Sequence, residues 1–232
     1  MFIKRLTDIT ISLLLLLPAL PVMVVVAVLI KLDSRGPVLF RQQRIGQGRR
    51  PFEIYKFRTM THRDAAAIDQ HAEKVIEGND DVRITRMGRL LRVTSLDELP
   101  QLLNILKGEM SLIGPRPVLP EQLAVVPPWL QDRFAVKPGV TGLAQVKGRR
   151  SLSWEQQLCF DKIYAGSAGI LSDLKILAET VMVVLTGKGI YGEAGKNWRA
   201  YRGMKDAEWE SYLYDFKEVD ADKILHGSDI NT

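Results

Sequence analysis

Between Ile9 and Ile30 the chain carries no charged side chain, and the stretch reads ITISLLLLLPALPVMVVVAVLI. As helix it would extend about 33 Å, enough to cover the hydrocarbon core of a bilayer. A secretory signal has a shorter apolar region, and no small-x-small cleavage pattern follows Ile30, which argues against a cleaved leader. Lys4 and Arg5 precede the stretch, and Lys31, Arg35, Arg41, Arg44, Arg49 and Arg50 follow it. Positive charge stays on the cytoplasmic side of a membrane, so both flanks ask for the same side. Pro18 and Pro21 stand near the middle, and each removes a backbone donor. A helix broken near Pro21 that enters and leaves by one face satisfies both flanks. Residues 1–36 are therefore expected to form a re-entrant, monotopic membrane helix.

The remainder of the 232 residues is enough for one catalytic-sized domain, expected over 37–190, with an extension over 191–232. The one cysteine, Cys159, forms no internal disulfide, which suits a body facing the cytosol of a bacterial inner membrane. The net charge of +5 admits nucleic acid, anionic lipid or phosphate-bearing substrates. No zinc-finger or RNA-binding signature is present, which argues against nucleic acid. Val38 to Arg44 and Phe52 to Phe57 flank Gly46-Gln47-Gly48 and predict a hairpin. Helices are expected over Arg63–Glu77, from Leu99 to a stop at Gly108, and over Leu171–Thr186 with Ser172 as cap and Gly187 as stop. The last is apolar over a wide face, so it is either a core helix or one lying in a membrane interface. Val125–Trp129 reads as a loop or helix junction. Six aromatics between Trp198 and Phe216 point to packing of the extension on the domain, or to interface contact or homo-oligomer formation. The fold class is α+β, mainly helical with small β elements.

Thr94 to Pro117, TSLDELPQLLNILKGEMSLIGPRP, holds the densest chemistry. Ser95 and Glu98 have capping-box spacing, and Asp97 in a first helical turn would complement the helix dipole, so both acids have a purely structural explanation. Arg83, Arg86, Arg89 and Arg92 recur every third residue just upstream, a basic stripe leading toward an anion-attracting helix start. The planar arginine fork suits phosphate, and two carboxylates can hold Mg²⁺ whose other ligands are substrate phosphates. Gly114-Pro115-Arg116-Pro117 presents one arginine on a backbone fixed by two prolines. Lys137 to Arg150 alternates glycine turns with a short strand, where glycines permit close approach to a ligand. Walker A, dinucleotide, nucleophile-elbow and kinase motifs are absent, and His62, His71 and His226 fit no zinc spacing.

Three segments together carry a resemblance: Lys56-Phe57-Arg58-Thr59-Met60, SLDELPQLLNILKGEMSLIGPRP from Ser95 to Pro117, and KPGVTGLAQVKGR from Lys137 to Arg149. In order and spacing the chain resembles the bacterial monotopic phosphoglycosyl transferases over roughly residues 1–190. The resemblance implies transfer of a phosphosugar from a UDP-sugar to polyprenyl phosphate with release of UMP, supported by Mg²⁺. It implies Asp97 as nucleophile forming a covalent phosphosugar intermediate, with Glu98 as its catalytic partner and both acids as metal ligands. Arg92, Arg116 and Arg149 match phosphate-binding arginines, and Lys56, Arg58 and Gln145 fall in the same substrate-binding motifs. The chain departs from the family at Leu20-Pro21, where a Ser-Pro pair is usual, and at Lys147, where asparagine is frequent. The rival readings are a non-catalytic basic module binding anionic lipid or a partner, and a nucleotide-sugar hydrolase.

Overall fold

The computed structural model describes residues 2–63, 68–78, 80–186, 192, 194–204 and 209. Helix α1, Phe2–Asp33, has 32 residues and continues through Pro18 and Pro21, so helical backbone does not end at Pro21. By length and composition it is the one described helix able to cross a membrane. Its middle is exposed, at Leu13, Leu14, Leu17, Val24 and Val25. Its two ends are gripped by the same body. At the start, Lys4 pairs with Asp173, and the Arg5 guanidinium donates to the carbonyls of Ile105 and Leu106. The buried Asp8 Oδ1 accepts from Ser111 Oγ at 2.9 Å and from the Leu112 amide at 3.1 Å. At the other end Val26 and Ile30 bury against Phe57 and Leu91, and Asp33 accepts the Met87 amide at 3.0 Å.

Strands β1, Leu39–Ile45, and β2, Pro51–Phe57, form the expected hairpin, antiparallel from Leu39↔Phe57 to Ile45↔Pro51. Helix α2, Arg86–Thr94, starts at a Thr85 cap whose side chain accepts the Gly88 amide. Helix α3, Gln101–Lys107, ends at Gly108 with φ 87°, as the sequence indicates. Asn104 of α3 closes the free edge of β2, donating to Glu53 O at 2.7 Å and accepting the Tyr55 amide at 3.0 Å. Strand β3, Ser111–Ile113, pairs in parallel with β4, Gly139–Thr141. A Cβ on Gly114 would lie 2.2 Å from Lys137 O, and one on Gly139 2.1 Å from Gly114 N. These glycines therefore permit a close approach between two pieces of backbone, and for Gly139 that replaces the expected approach to a ligand.

Helices α4, Pro120–Leu123, and α5, Leu143–Lys147, are short, and α5 replaces part of the stretch expected as turns and strand. Val125–Trp129 leads into a 3₁₀ run, Pro128–Ala135. Helices α6, Trp154–Ser167, and α7, Ile170–Thr186, complete the body. Helix α6 opens on a capping box, Ser153 with Gln156. One core gathers Ile54, Leu102, Ile105, Met110, Phe160 and Ile176 under the β3–β4 pair, and a second gathers Val118, Leu130, Phe134, Trp154 and Leu158.

Two further expectations change. The surface helix over Arg63–Glu77 does not form among its described residues, since 68–78 run as turns and extended chain, with 64–67 outside the described residues. In that stretch Glu73 is tied to Arg63 and Arg83 instead. Ser172 does not precede α7; its hydroxyl lies in the first turn and accepts the Gly169 amide at 3.0 Å, while Gly187 lies outside the described residues. Helix α7 buries only Ser172 and Ile176 fully, leaving Leu171, Leu174, Val181, Met182 and Leu185 on an exposed apolar face. In the extension, Trp198, Tyr201 and Trp209 bury in the second core, so these aromatics pack back on the domain.

Candidate active site

Asp97 and Glu98 sit in a single 3₁₀ turn, Leu96–Glu98, between α2 and α3. Ser95 turns the chain there with φ 58° and makes no side-chain cap, so the capping-box explanation for Glu98 does not apply. The Glu98 side chain points elsewhere. Its Oε1 accepts from Lys56 Nζ at 2.6 Å and from Arg116 at 3.4 Å. Lys56 comes from β2, and strand alternation puts it on the same face as the buried Ile54. Arg116 comes from the loop after β3, whose carbonyl is held by Arg133 at 2.8 Å. Arg133 is itself fixed by a buried pair with Asp161, at 2.6 Å. Arg149 donates to Ser95 Oγ at 3.4 Å. Ser95 and Arg149 are two of the three described non-glycine residues with positive φ, at 58° and 56°. Backbone held in that region costs about 1–3 kcal/mol and clusters at functional sites.

The electrostatics split the two acids. Burial pushes the Glu98 carboxyl up, but Lys56 and Arg116 outweigh it and hold it down at about 2. Burial raises Asp97 against the pull of Lys56, and the charge of Glu98 adds to the rise. Burial lowers Lys56 and Arg149, and the charge of Arg116 adds to the drop in each against the pull of Glu98. Glu98 is thus spoken for by its cations. The Asp97 carboxylate has no hydrogen bond or ion pair within bonding distance among the described residues. A carboxylate ringed by cations and left without a partner is equipped to meet an electrophilic, anionic centre such as a phosphate.

Of the residues expected at the site, Asp97, Glu98, Lys56, Arg116 and Arg149 converge. Arg92 lies one step out: its Nε donates to Thr59 Oγ1 at 3.1 Å, and its charge acts on Asp97. Arg83, Arg86 and Arg89 do not join it. Arg83 precedes α2 and pairs with Asp81 and Glu73, and Arg86 and Arg89 are exposed. Arg58 is turned away from the acids. Its guanidinium donates to Ser34 O at 2.7 Å and Arg35 O at 2.8 Å, closing carbonyls left free at the end of α1. Gln145 is buried on α5 beside Gly142, with both amide atoms unpartnered. Two neighbours were not evident from sequence. Arg44 reaches Pro117 O at 3.3 Å, and crowding by Arg116 and Arg150, added to burial, lowers it to about 9. Arg150 adjoins Arg116 and Arg92. Arg150 follows directly on a quoted motif and had a signal, whereas Arg44 meets its partner across 73 residues and had none.

Two adjacent carboxylates, one free of hydrogen bonds, fit a Mg²⁺ that takes its other ligands from phosphate and water. Among the described residues no group of three His, Cys, Asp or Glu completes a cage made by protein alone.

A family model described as bacterial sugar transferase matches residues 1–187. The chain is 42% identical over 193 residues to an uncharacterized sugar transferase, EpsL, of Bacillus subtilis, covering 82% of this chain and 91% of that protein. It is 41% identical over 196 residues to a UDP-glucose:undecaprenyl-phosphate glucose-1-phosphate transferase of Caulobacter vibrioides, with 81% and 72% covered. It is 38% identical over 200 residues to an undecaprenyl-phosphate galactose phosphotransferase of Salmonella typhimurium, covering 82% of this chain but only 42% of that protein.

Proposed function

This chain belongs to the bacterial sugar transferase family, and we propose that it transfers a phosphosugar from a UDP-sugar to polyprenyl phosphate at the inner face of a bacterial membrane. One observation carries the proposal: an Asp97 with no bonded partner among the described residues, beside a Glu98 saturated by Lys56 and Arg116. An Asp97 carboxylate oxygen attacks the phosphorus bearing the sugar. The bond from that phosphorus to the bridging oxygen breaks, and UMP leaves with the electron pair. A polyprenyl phosphate oxygen then attacks the same phosphorus and frees Asp97, giving the lipid diphosphosugar. Dividing one displacement into two is the usual gain from covalent catalysis. Arg116, Arg149 and Arg92 hold phosphate oxygens by forked, charge-assisted bonds. Lys56 keeps Glu98 ionised and oriented. Asp97 and Glu98 would hold Mg²⁺, which supplies charge neutralisation for the diphosphate.

The monotopic arrangement is supported by the two gripped ends of α1. Lys4, Arg5 and Asp8 at its start and Val26, Ile30 and Asp33 at its end all contact one body. A helix spanning a bilayer would leave its ends on opposite sides, about 30 Å apart. The exposed face of α7 adds a second apolar surface for the lipid boundary.

UMP release from UDP-glucose and UDP-galactose, with and without undecaprenyl phosphate and with and without Mg²⁺, tests the activity. Release that needs both lipid and Mg²⁺ is expected. Release without lipid would make the chain a hydrolase, and none under any condition would leave only a lipid-binding module. Topology is read separately by placing cysteine at Ile3 and at Lys31 and labelling from the cytoplasmic side. Burial holds the native Cys159 thiol at about 12, so it stays silent. Labelling of only one of the two sites would reject re-entry.

A further inference from the structure

A groove of about 480 Å³ opens between the hairpin and α3, lined by Leu39, Arg41, Tyr55, Leu103, Leu106 and Lys107. The proposed reaction does not use it, because strand alternation sends Tyr55 to the face opposite Lys56. Three leucines and the tyrosine ring supply an apolar floor. Arg41 and Lys107 both stand over that ring, at 5.6 and 4.5 Å from its centroid, and Lys107 Nζ donates to Tyr55 Oη at 2.5 Å. The nearest anion to Arg41 is Glu53, at 3.8 Å and well exposed, and Lys107 has no ion pair among the described residues. The charges of Glu109 and Glu53 also reach Lys107, so two cations overhang an apolar trough, Arg41 in a long, exposed ion pair and Lys107 in none among the described residues.

Its position narrows the occupant. The carbonyl of Leu106 is held by Arg5 in the first turns of α1, and Leu39 packs with Val26 and Ile30 near its end. The groove thus lies between the two ends of the apolar helix, and Leu103 in its lining is exposed. A free phosphate would gain nothing from the leucines, and a neutral lipid nothing from the cations. We propose that this groove is a second lipid site, which takes the phosphate head and first acyl carbons of an anionic membrane phospholipid. Arg41 and Lys107 meet the phosphate, and Leu39, Leu103 and Leu106 meet the chain. The inference rests on the membrane placement proposed above and not on the phosphotransfer chemistry.

The test is lipid retention by the full chain in a non-ionic detergent, read by native mass spectrometry, so turnover does not enter. With equimolar phosphatidylglycerol and phosphatidylcholine, the wild-type chain is expected to keep phosphatidylglycerol at least about tenfold in preference. Arg41→Gln with Lys107→Gln should abolish the preference with an unchanged melting temperature. Leu103→Trp, filling the trough, should lower retention of both lipids. Inorganic phosphate should not displace the bound lipid. Equal retention of the two lipids, a preference that survives the double substitution, or displacement by inorganic phosphate would each overturn the proposal. So would undecaprenyl phosphate outcompeting phosphatidylglycerol in a manner lost in the same double variant, since the groove would then belong to the acceptor.

Discussion

Two clusters of arginine and carboxylate stand side by side in this domain, joined through Arg116, and they are built on opposite terms. Arg133 and Asp161 are matched one to one, each side chain only 3% exposed, and their output is mechanical: the pair holds the Arg116 carbonyl. Around Asp97 and Glu98 the count is unequal. Lys56 and Arg116 crowd Glu98, Arg149 and Arg92 stand near, and Asp97 is left without a bonded partner. A closed pair stabilises a shape, and an unbalanced one awaits a charged visitor. The difference teaches that burial of charge alone does not mark a site; an imbalance does.

The largest effect should come from making the open cluster resemble the closed one. Asp97→Asn is expected to lower UMP release by at least about a thousandfold, the scale of losing a covalent nucleophile, with the melting temperature nearly unchanged. Next, Arg133→Ala leaves Asp161 buried and alone and should cost about 3–5 kcal/mol in denaturant unfolding. If the pair is mechanical, replacing both partners, Arg133→Met with Asp161→Leu, should recover most of that stability. Arg116→Lys keeps the charge but loses the fork, so kcat should drop by about a hundredfold with little change in stability. Stability left unrestored by the double replacement would break the reading of the pair as mechanical.

The smallest effect separates the clusters by pH. Burial, only partly offset by Arg133, pushes Asp161 up to about 6. Its folded value lies above its unfolded value near 3.8, so its ionisation costs stability above about pH 6 and that cost disappears as pH falls toward 4. Glu98, held at about 2, lies below its unfolded value near 4.5, so its contribution is present above pH 4.5 and is lost as pH falls toward 2. Each slope is at most about 1.4 kcal/mol per pH unit. Urea unfolding of Asp161→Asn and Glu98→Gln across pH 3–7 should flatten one window each, and flattening of the same window by both would erase the distinction.

The hairpin, the end of α3 at Gly108 and the convergence of Asp97, Glu98, Arg116 and Arg149 were legible, because turn glycines and contiguous motifs encode them locally. Four things were not. Arg58 lies in a motif with Lys56 yet serves the end of α1, because β2 ends at Phe57 and the alternation that would keep the two on one face stops there. Arg44 joins the site only through Pro117. The triplet spacing of Arg83 to Arg92 suggested a shared face, but the helix starts after Thr85, so Arg83 never belonged to it. Gly139 looked like a ligand contact and is a packing contact, since spacing cannot say what approaches a bare Cα.

The double grip on α1 has a kinetic corollary. A domain fastened at both ends of its apolar helix does not tumble toward a lipid-borne partner; it drifts beside it in a sheet. Encounter then depends on molecules per area, not per volume. Added inert phospholipid should slow turnover by thinning that area, whereas added buffer should leave it as it was.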